Sequence, residues 1–194
     1  RTRVSFEAGM YQLGGHSIYL GPGEINLGIR ESIKDVAKTL SRYVDGIVLR
    51  TYEHKNALEM AKFSSVPVIN GLSDFEHPCQ ALADVYTIKE KAGKNLTGLT
   101  LVYIGDGNNV CHSLLYASAL VGLNMNVATP EGYEPDKSVL NESKANLFHN
   151  SFAAVKAANV IYTDVWVSMG QENESEVRKK AFKDFQINRN LIKL

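Results

Sequence analysis

The chain has 194 residues, 44% hydrophobic and 22% charged, and its 21 basic and 21 acidic residues balance to a net charge of zero. That length suits one large or two small domains of an ordinary soluble globular protein. The charge balance argues against nucleic acid or an anionic membrane as the main partner, while leaving a local anion site open. Cys79 and Cys111 lack metal-ligand spacing, so they read as reduced thiols rather than as a disulfide or a metal site. No apolar run approaches the roughly 18 residues of a membrane span. The first residue is Arg1 and no signal peptide is visible. The expected location is cytoplasmic, or the mitochondrial matrix if a transit peptide has been removed.

In chain order, "RTRVSFEAGMYQLGG" opens as an amphipathic stretch, and "HSIYL" (16–20) follows as a short apolar run. "ESIKDVAKTLSRY" (31–43) puts Ile33, Val36, Ala37 and Leu40 at helical spacing. "GIVLR" (46–50) is β-rich, "NALEMAKF" (56–63) is helical, and "VPVING" (66–71) is a strand closing on Asn-Gly. "HPCQALADVYTIKEKAG" (77–93) has Pro78 near its start and Gly93 at its end, the usual asymmetry of a helix. A second series follows: strand 99–107, helix 108–122 ending in Gly122, strand 124–130, helical "PDKSVLNESKA" and "SFAAVKAA", strand 159–164 and helix 175–185. Such alternation predicts an α/β protein of parallel sheets with right-handed crossovers. The expected division is two domains, 1–76 and 94–194, joined by a helix at 77–93.

In open α/β sheets, ligands bind at the carboxyl ends of strands, and the candidate residues cluster there. "IGDGNN" (104–109) has Gly105 and Gly107, but Val110 stands where a dinucleotide fingerprint needs its third glycine. Three readings of that turn stay open: a nucleotide site, a tight strand-to-helix turn, or a site where Asn108 and Asn109 offer amides to a polar ligand. "RTR" (1–3) at a helix start can hold phosphate through charge, hydroxyl and backbone N–H, or be a solvated surface. Arg50 ends a strand, facing either an anion or water. His77 and Gln80 lie one turn apart on one helix face. His16, His54, His112 and His149 read as structural. In "DVWVSMGQE" (164–172), Asp164 can bind an ammonium group or cap the following turn, and Gly170 permits close backbone approach.

Taken together, "RTR", "VLR", "HPCQ", "GDGNN" and "DVWVSMGQE", in this order, resemble the ornithine carbamoyltransferases of the aspartate/ornithine carbamoyltransferase superfamily. The resemblance covers essentially the whole chain and includes "INGLSD", "ATPEGYEPD" and "LGGHSIYL". It implies two α/β domains, one for carbamoyl phosphate and one for the amino acid, and assembly into trimers or multiples of trimers. The active site is implied in the cleft, with a loop contributed by a neighbouring subunit. Arg1 and Thr2 match the end of the family's Ser-x-Arg-Thr motif and would hold phosphate. Arg50 would bind phosphate and the carbonyl oxygen, and His77 and Gln80 the carbamoyl carbonyl and amide. Asn109, Asp164, Ser168 and Met169 would hold ornithine, Met169 through its main chain. Asn26, in "GPGEINLG", falls where the family offers a polar residue to the neighbour's carbamoyl phosphate.

The implied reaction transfers the carbamoyl group from carbamoyl phosphate to the side-chain amine of L-ornithine, giving L-citrulline and phosphate, without metal or organic cofactor. The chain starts inside the phosphate motif and stops at "INRNLIKL", before the family's His-Cys-Leu-Pro motif. It also looks about ten residues short between "YEPD" and "AANV". The expectation is therefore a middle portion of an enzyme, inactive by itself. The rival readings are a non-catalytic anion-binding or subunit-interaction module, or a carbamoyltransferase for another amine.

Overall fold

The computed structural model describes residues 1–93, 95–167 and 171–193. They form an α/β protein in two compact units, Arg1–Ser73 and Asp74–Leu194.

The first unit contains α1 (Thr2–Gln12), α2 (Pro22–Ile25), α3 (Ile33–Leu40), β1 (Ile47–Arg50), α4 (His54–Phe63) and β2 (Val68–Leu72). β1 and β2 pair in parallel. The helical spacing of Ile33, Val36 and Ala37 turns one face of α3 onto Ile47 and Met60, which together make the core of this unit. Ser32 caps α3 by accepting the Asp35 N–H at 3.1 Å. The pairing slips between Leu49 and Arg50: Leu49 faces Asn70, and Arg50 faces Leu72. Gly71 is thus the extra residue of a bulge, which twists the pair just where Arg50 leaves the sheet.

The second unit contains α5 (Pro78–Ala92), β3 (Thr100–Ile104), α6 (Asn109–Val121), β4 (Asn124–Ala128), α7 (Lys137–Ser143), β5 (Asn146–Phe148), α8 (Ser151–Ala154), β6 (Val160–Thr163), α9 (Ser175–Ala181) and α10 (Arg189–Ile192). Its four strands are all parallel, in the order β5-β4-β3-β6. Leu101 and Tyr103 point to a core shared with Ala81, Val85 and Leu114 of α5 and α6. Val102 and Ile104 point to the opposite core, with Ala154, Phe182 and Leu191. Strand alternation and two covered faces explain why β3 is apolar at every one of these positions. The chain runs from β3 outward through β4 to β5, and β6 then returns to the other side of β3. The loops after β3 and β6 therefore lie at the point where strand order reverses, where α/β folds bind ligands.

The apolar run "HSIYL" lies in no helix or strand, and two elements differ from expectation. The helix expected over 151–158 ends at Ala154, and Ala157 takes a left-handed conformation (φ 64°) incompatible with its continuation. β5 was not foreseen, because three residues are too few to reveal a period. The long helices keep their expected ends: α6 starts on the Asn108 cap and stops at Gly122, whose φ of 76° favours glycine.

Phe182 is wholly buried and lies edge-on to Tyr133 and stacked on Trp166, with ring centroids at 4.9 and 5.9 Å. Phe182→Ala in the full-length protein is expected to cost about 3–5 kcal/mol of stability, read from the midpoint of urea unfolding at unchanged slope.

Candidate functional site

The candidate residues form two groups, one in each unit. In the first, Arg50 reaches from the bulged end of β1 to the start of α1, where its Nη1 donates to Thr2 Oγ1 at 2.6 Å. These residues are 48 apart in sequence. Arg1 directly precedes the helix and is exposed, as is Arg50. Guanidinium groups, a hydroxyl and the N–H groups of a helix start are the chemistry that anion binding uses. Arg3 is directed elsewhere: it bonds Glu7 at 2.9 Å and lies over the Tyr19 ring at 3.9 Å. The backbone after Arg50 is held by Thr51 N–H to Leu72 O at 3.0 Å, and the Thr51 hydroxyl accepts from Asn56 at 3.1 Å. Asn26 is exposed at the end of α2 in a left-handed turn (φ 42°), and its amide donates to the Gly23 carbonyl at 3.3 Å.

The second group surrounds the carboxyl ends of β3 and β6. His77 immediately precedes α5, and its backbone N–H donates to Ser113 Oγ at 2.8 Å. Gln80, exposed on the first turn of α5, donates from Nε2 to Asp84 Oδ1 at 2.9 Å. Asp84 also faces Tyr162, whose phenol is pushed up by burial and by this carboxylate. The turn after β3 is very tight. A Cβ on Gly107 would lie 2.2 Å from the Pro135 nitrogen, so only glycine fits. Asn108 closes the turn, its Oδ1 accepting from the Val110 and Cys111 N–H groups at 3.0 and 3.2 Å. Its side chain is thus a helix cap, and Asn109 opens the helix beyond it. Asp164, half-buried, follows β6. The neighbouring Thr163 hydroxyl donates to Ile104 O at 2.7 Å and ties the ends of β6 and β3 together. Ser168 and Met169 lie outside the described residues. Among the described residues, no group of three or more His, Cys, Asp or Glu side chains could hold a metal ion.

One residue central to this group escaped the sequence reading. Arg178 of α9 sits in the basic run "RKK", yet its side chain is only 8% exposed. It bonds Asp106 at 2.8 Å, Glu174 at 2.8 Å and the Trp166 carbonyl at 3.2 Å, and lies 5.1 Å from the Tyr133 ring centroid. A single cation thus joins the loops after β3, β4 and β6. Burial raises the Asp106 carboxyl pKa in spite of the opposing guanidinium. The available signal was the helical spacing of Glu174 and Arg178, which fits an ion pair but does not reveal burial.

Sequence models of the two domains of one family match almost all of the chain. The aspartate/ornithine carbamoyltransferase carbamoyl-P binding domain matches residues 1–90, and the Asp/Orn binding domain matches residues 97–194. The chain belongs to the aspartate/ornithine carbamoyltransferase family. Within this family it is 55% identical to an ornithine carbamoyltransferase of Thermococcus kodakarensis, over 100% of this chain and 64% of that one. A Bacillus cereus ornithine carbamoyltransferase is 53% identical over 100% and 63%. The solved structure of the Pyrococcus furiosus ornithine carbamoyltransferase superposes with a TM-score of 0.92 at 54% identity, covering 99% of this chain and 64% of that one. The Thermus thermophilus structure gives 0.88 at 44% identity, covering 100% and 64%. This carbamoyltransferase-family chain therefore spans about 64% of the length of the curated relatives it matches.

Arg178→Met is expected to destabilise the full-length protein by about 3–5 kcal/mol, because it strands the buried Asp106 carboxylate. Adding Asp106→Asn should restore part of that loss, which a double-mutant cycle by urea unfolding would measure.

Proposed function

We propose that this chain supplies the substrate-binding body of an ornithine carbamoyltransferase, which makes L-citrulline and phosphate from carbamoyl phosphate and L-ornithine. The observation that carries the reading is the Arg50–Thr2 hydrogen bond at the start of α1, which joins two distant motifs into one anion site. In this reading residues 1–76 bind carbamoyl phosphate, 94–194 bind ornithine and the helix at 77–93 links them; the two family domain matches, 1–90 and 97–194, support one domain for each substrate.

Arg1, Thr2 and Arg50 hold the phosphate. Arg50 and His77 stabilise charge on the carbonyl oxygen. Gln80 donates one of its two amide hydrogens to Asp84, which orients the side chain, and its Oε1 accepts from the carbamoyl –NH2. Asp164 takes the α-ammonium group of ornithine, with Asn109, Ser168 and the main chain of Met169 as further contacts. The neutral Nδ amine attacks the carbonyl carbon. As the N–C bond forms, the amine gives up a proton, and the C–O bond breaks with its electron pair leaving on phosphate. Holding both reactants replaces a bimolecular encounter with an oriented one, and no cofactor takes part.

Ornithine is favoured over another amine by "DVWVSMG" and by the relatives' names. A homotrimer, or a multiple of trimers, completes the reading, with Asn26 offered to the neighbouring subunit. Exposed apolar side chains such as Tyr11, Leu13 and Ile29 support an interface in that region. A cytoplasmic location is proposed with it, supported by archaeal and bacterial relatives.

The test is citrulline formation by the purified full-length protein. Absence of product with both substrates present would leave a binding module or another amine substrate. Arg50→Ala is expected to weaken carbamoyl phosphate binding by more than about 1.5 kcal/mol, the lower bound for a charged hydrogen bond; unchanged calorimetric affinity removes Arg50 from the site. Asp164→Asn should raise the ornithine KM strongly and leave carbamoyl phosphate affinity nearly unchanged. Equal losses for both substrates would mark Asp164 as a structural residue.

A further inference from the structure

His112, on the first turn of α6, is 7% exposed and spans two backbone segments. Its Nδ1 lies 2.9 Å from the Phe75 carbonyl oxygen, and its Nε2 lies 3.0 Å from the Asp136 nitrogen. A backbone N–H only donates and a carbonyl only accepts. Nε2 must therefore be bare and Nδ1 must carry the hydrogen, which only one neutral tautomer satisfies. The next residue, Ser113, accepts the His77 N–H at 2.8 Å. The first turn of α6 thus grips backbone positions 75 and 77, just before α5 begins. The Phe75 ring also packs against the imidazole, with centroids 4.7 Å apart. On the other side, Asp136 caps α7 and adjoins Pro135, the residue that closes over Gly107.

We propose that His112, as a neutral imidazole, is a positioning residue for His77: it fixes the 75–77 backbone through the Phe75 carbonyl and anchors it to the loop ending at Asp136. The proposal rests on the reading of His77 as a ligand of the carbamoyl carbonyl. A helix start is an imprecise mount for a side chain unless the residues leading into it are fixed from outside, and His112 with Ser113 does this. Protonation would place a second hydrogen on Nε2, against the Asp136 N–H, and open the clasp.

The charged groups facing the ring are Asp136, Glu76 and Asp106, all acidic, yet burial outweighs them and lowers the imidazole pKa. The folded pKa is therefore below that of the unfolded chain, and between the two values the unfolded chain binds more protons. The clasp's contribution is complete above about pH 6.5 and is lost as pH falls through the folded pKa.

Two variants of the full-length protein separate the two hydrogen bonds. His112→Asn carries its amide nitrogen where Nδ1 was, keeping the Phe75 bond and losing the Asp136 bond. His112→Gln carries its carbonyl where Nε2 was, keeping the Asp136 bond and losing the Phe75 bond. The Gln variant is expected to lose about tenfold or more in kcat/KM for carbamoyl phosphate and in its calorimetric affinity, with the ornithine KM unmoved, and the Asn variant less than about threefold. Nitrogen-resolved NMR should show the Nδ1–H tautomer at pH 7.5. Equal losses in the two variants, or an Nε2–H tautomer, overturn the proposal. Binding and tautomer are read without turnover. A wild-type protein that binds carbamoyl phosphate but makes no citrulline therefore sinks the ornithine reading alone, whereas an active wild type with indistinguishable variants sinks the role of His112 alone.

Discussion

A parallel strand covered on both faces can offer polar chemistry only at its ends, and β3 imposes this constraint on the larger unit. Leu101, Val102, Tyr103 and Ile104 are wholly buried, and helices of the two cores lie on either side of them. The polar run Asp106, Asn108 and Asn109 accordingly comes directly after this strand. The turn 105–108 must reverse the chain and cap α6. Gly107 and Asn108 meet these two demands. Because β6 lies on the far side of β3, the loop carrying Asp164 arrives beside that turn.

Such a crowded end needs something to hold it, and two devices of different kinds do so. Arg178 is ionic: it collects Asp106, Glu174 and the Trp166 carbonyl around one buried guanidinium. The Thr163 hydroxyl on the Ile104 carbonyl is neutral and short-range. A buried charge is costly to leave unpaired, so the ionic device works in an all-or-none manner. A hydroxyl bond contributes a smaller and more graded share. Loops that carry ligand contacts gain precision from the first and local shape from the second.

The elements were largely legible in the sequence because the local signals were strong. The period of Ile33, Val36 and Ala37, the apolar run at 100–104 and the Pro78 and Gly122 helix ends each agree with the local backbone. β5 was hidden because three residues carry no period. The left-handed Ala157 was hidden because nothing in alanine's chemistry favours that conformation. In the candidate site, Arg50 and Thr2 were visible as motif residues, but their direct bond depends on pairing between β1 and β2 that no local pattern encodes. Arg178 was missed because its significance lies in burial and in partners far along the chain, while its neighbours suggested a solvated helix. His112 was read as structural, but its two backbone partners lie 37 and 24 residues away, where no local pattern names them.

The bulge at Gly71 stores the aim of Arg50 in a residue count rather than in a side chain. Point substitutions at either strand alter packing but leave two residues opposite one, so the strand still bends at the same place. Loss of a single codon there would do what no substitution can: it would restore an even ladder and turn the arginine's backbone away from the start of α1. In genetic terms, this part of the proposed anion site should tolerate drift in residue identity and be intolerant of changes in length.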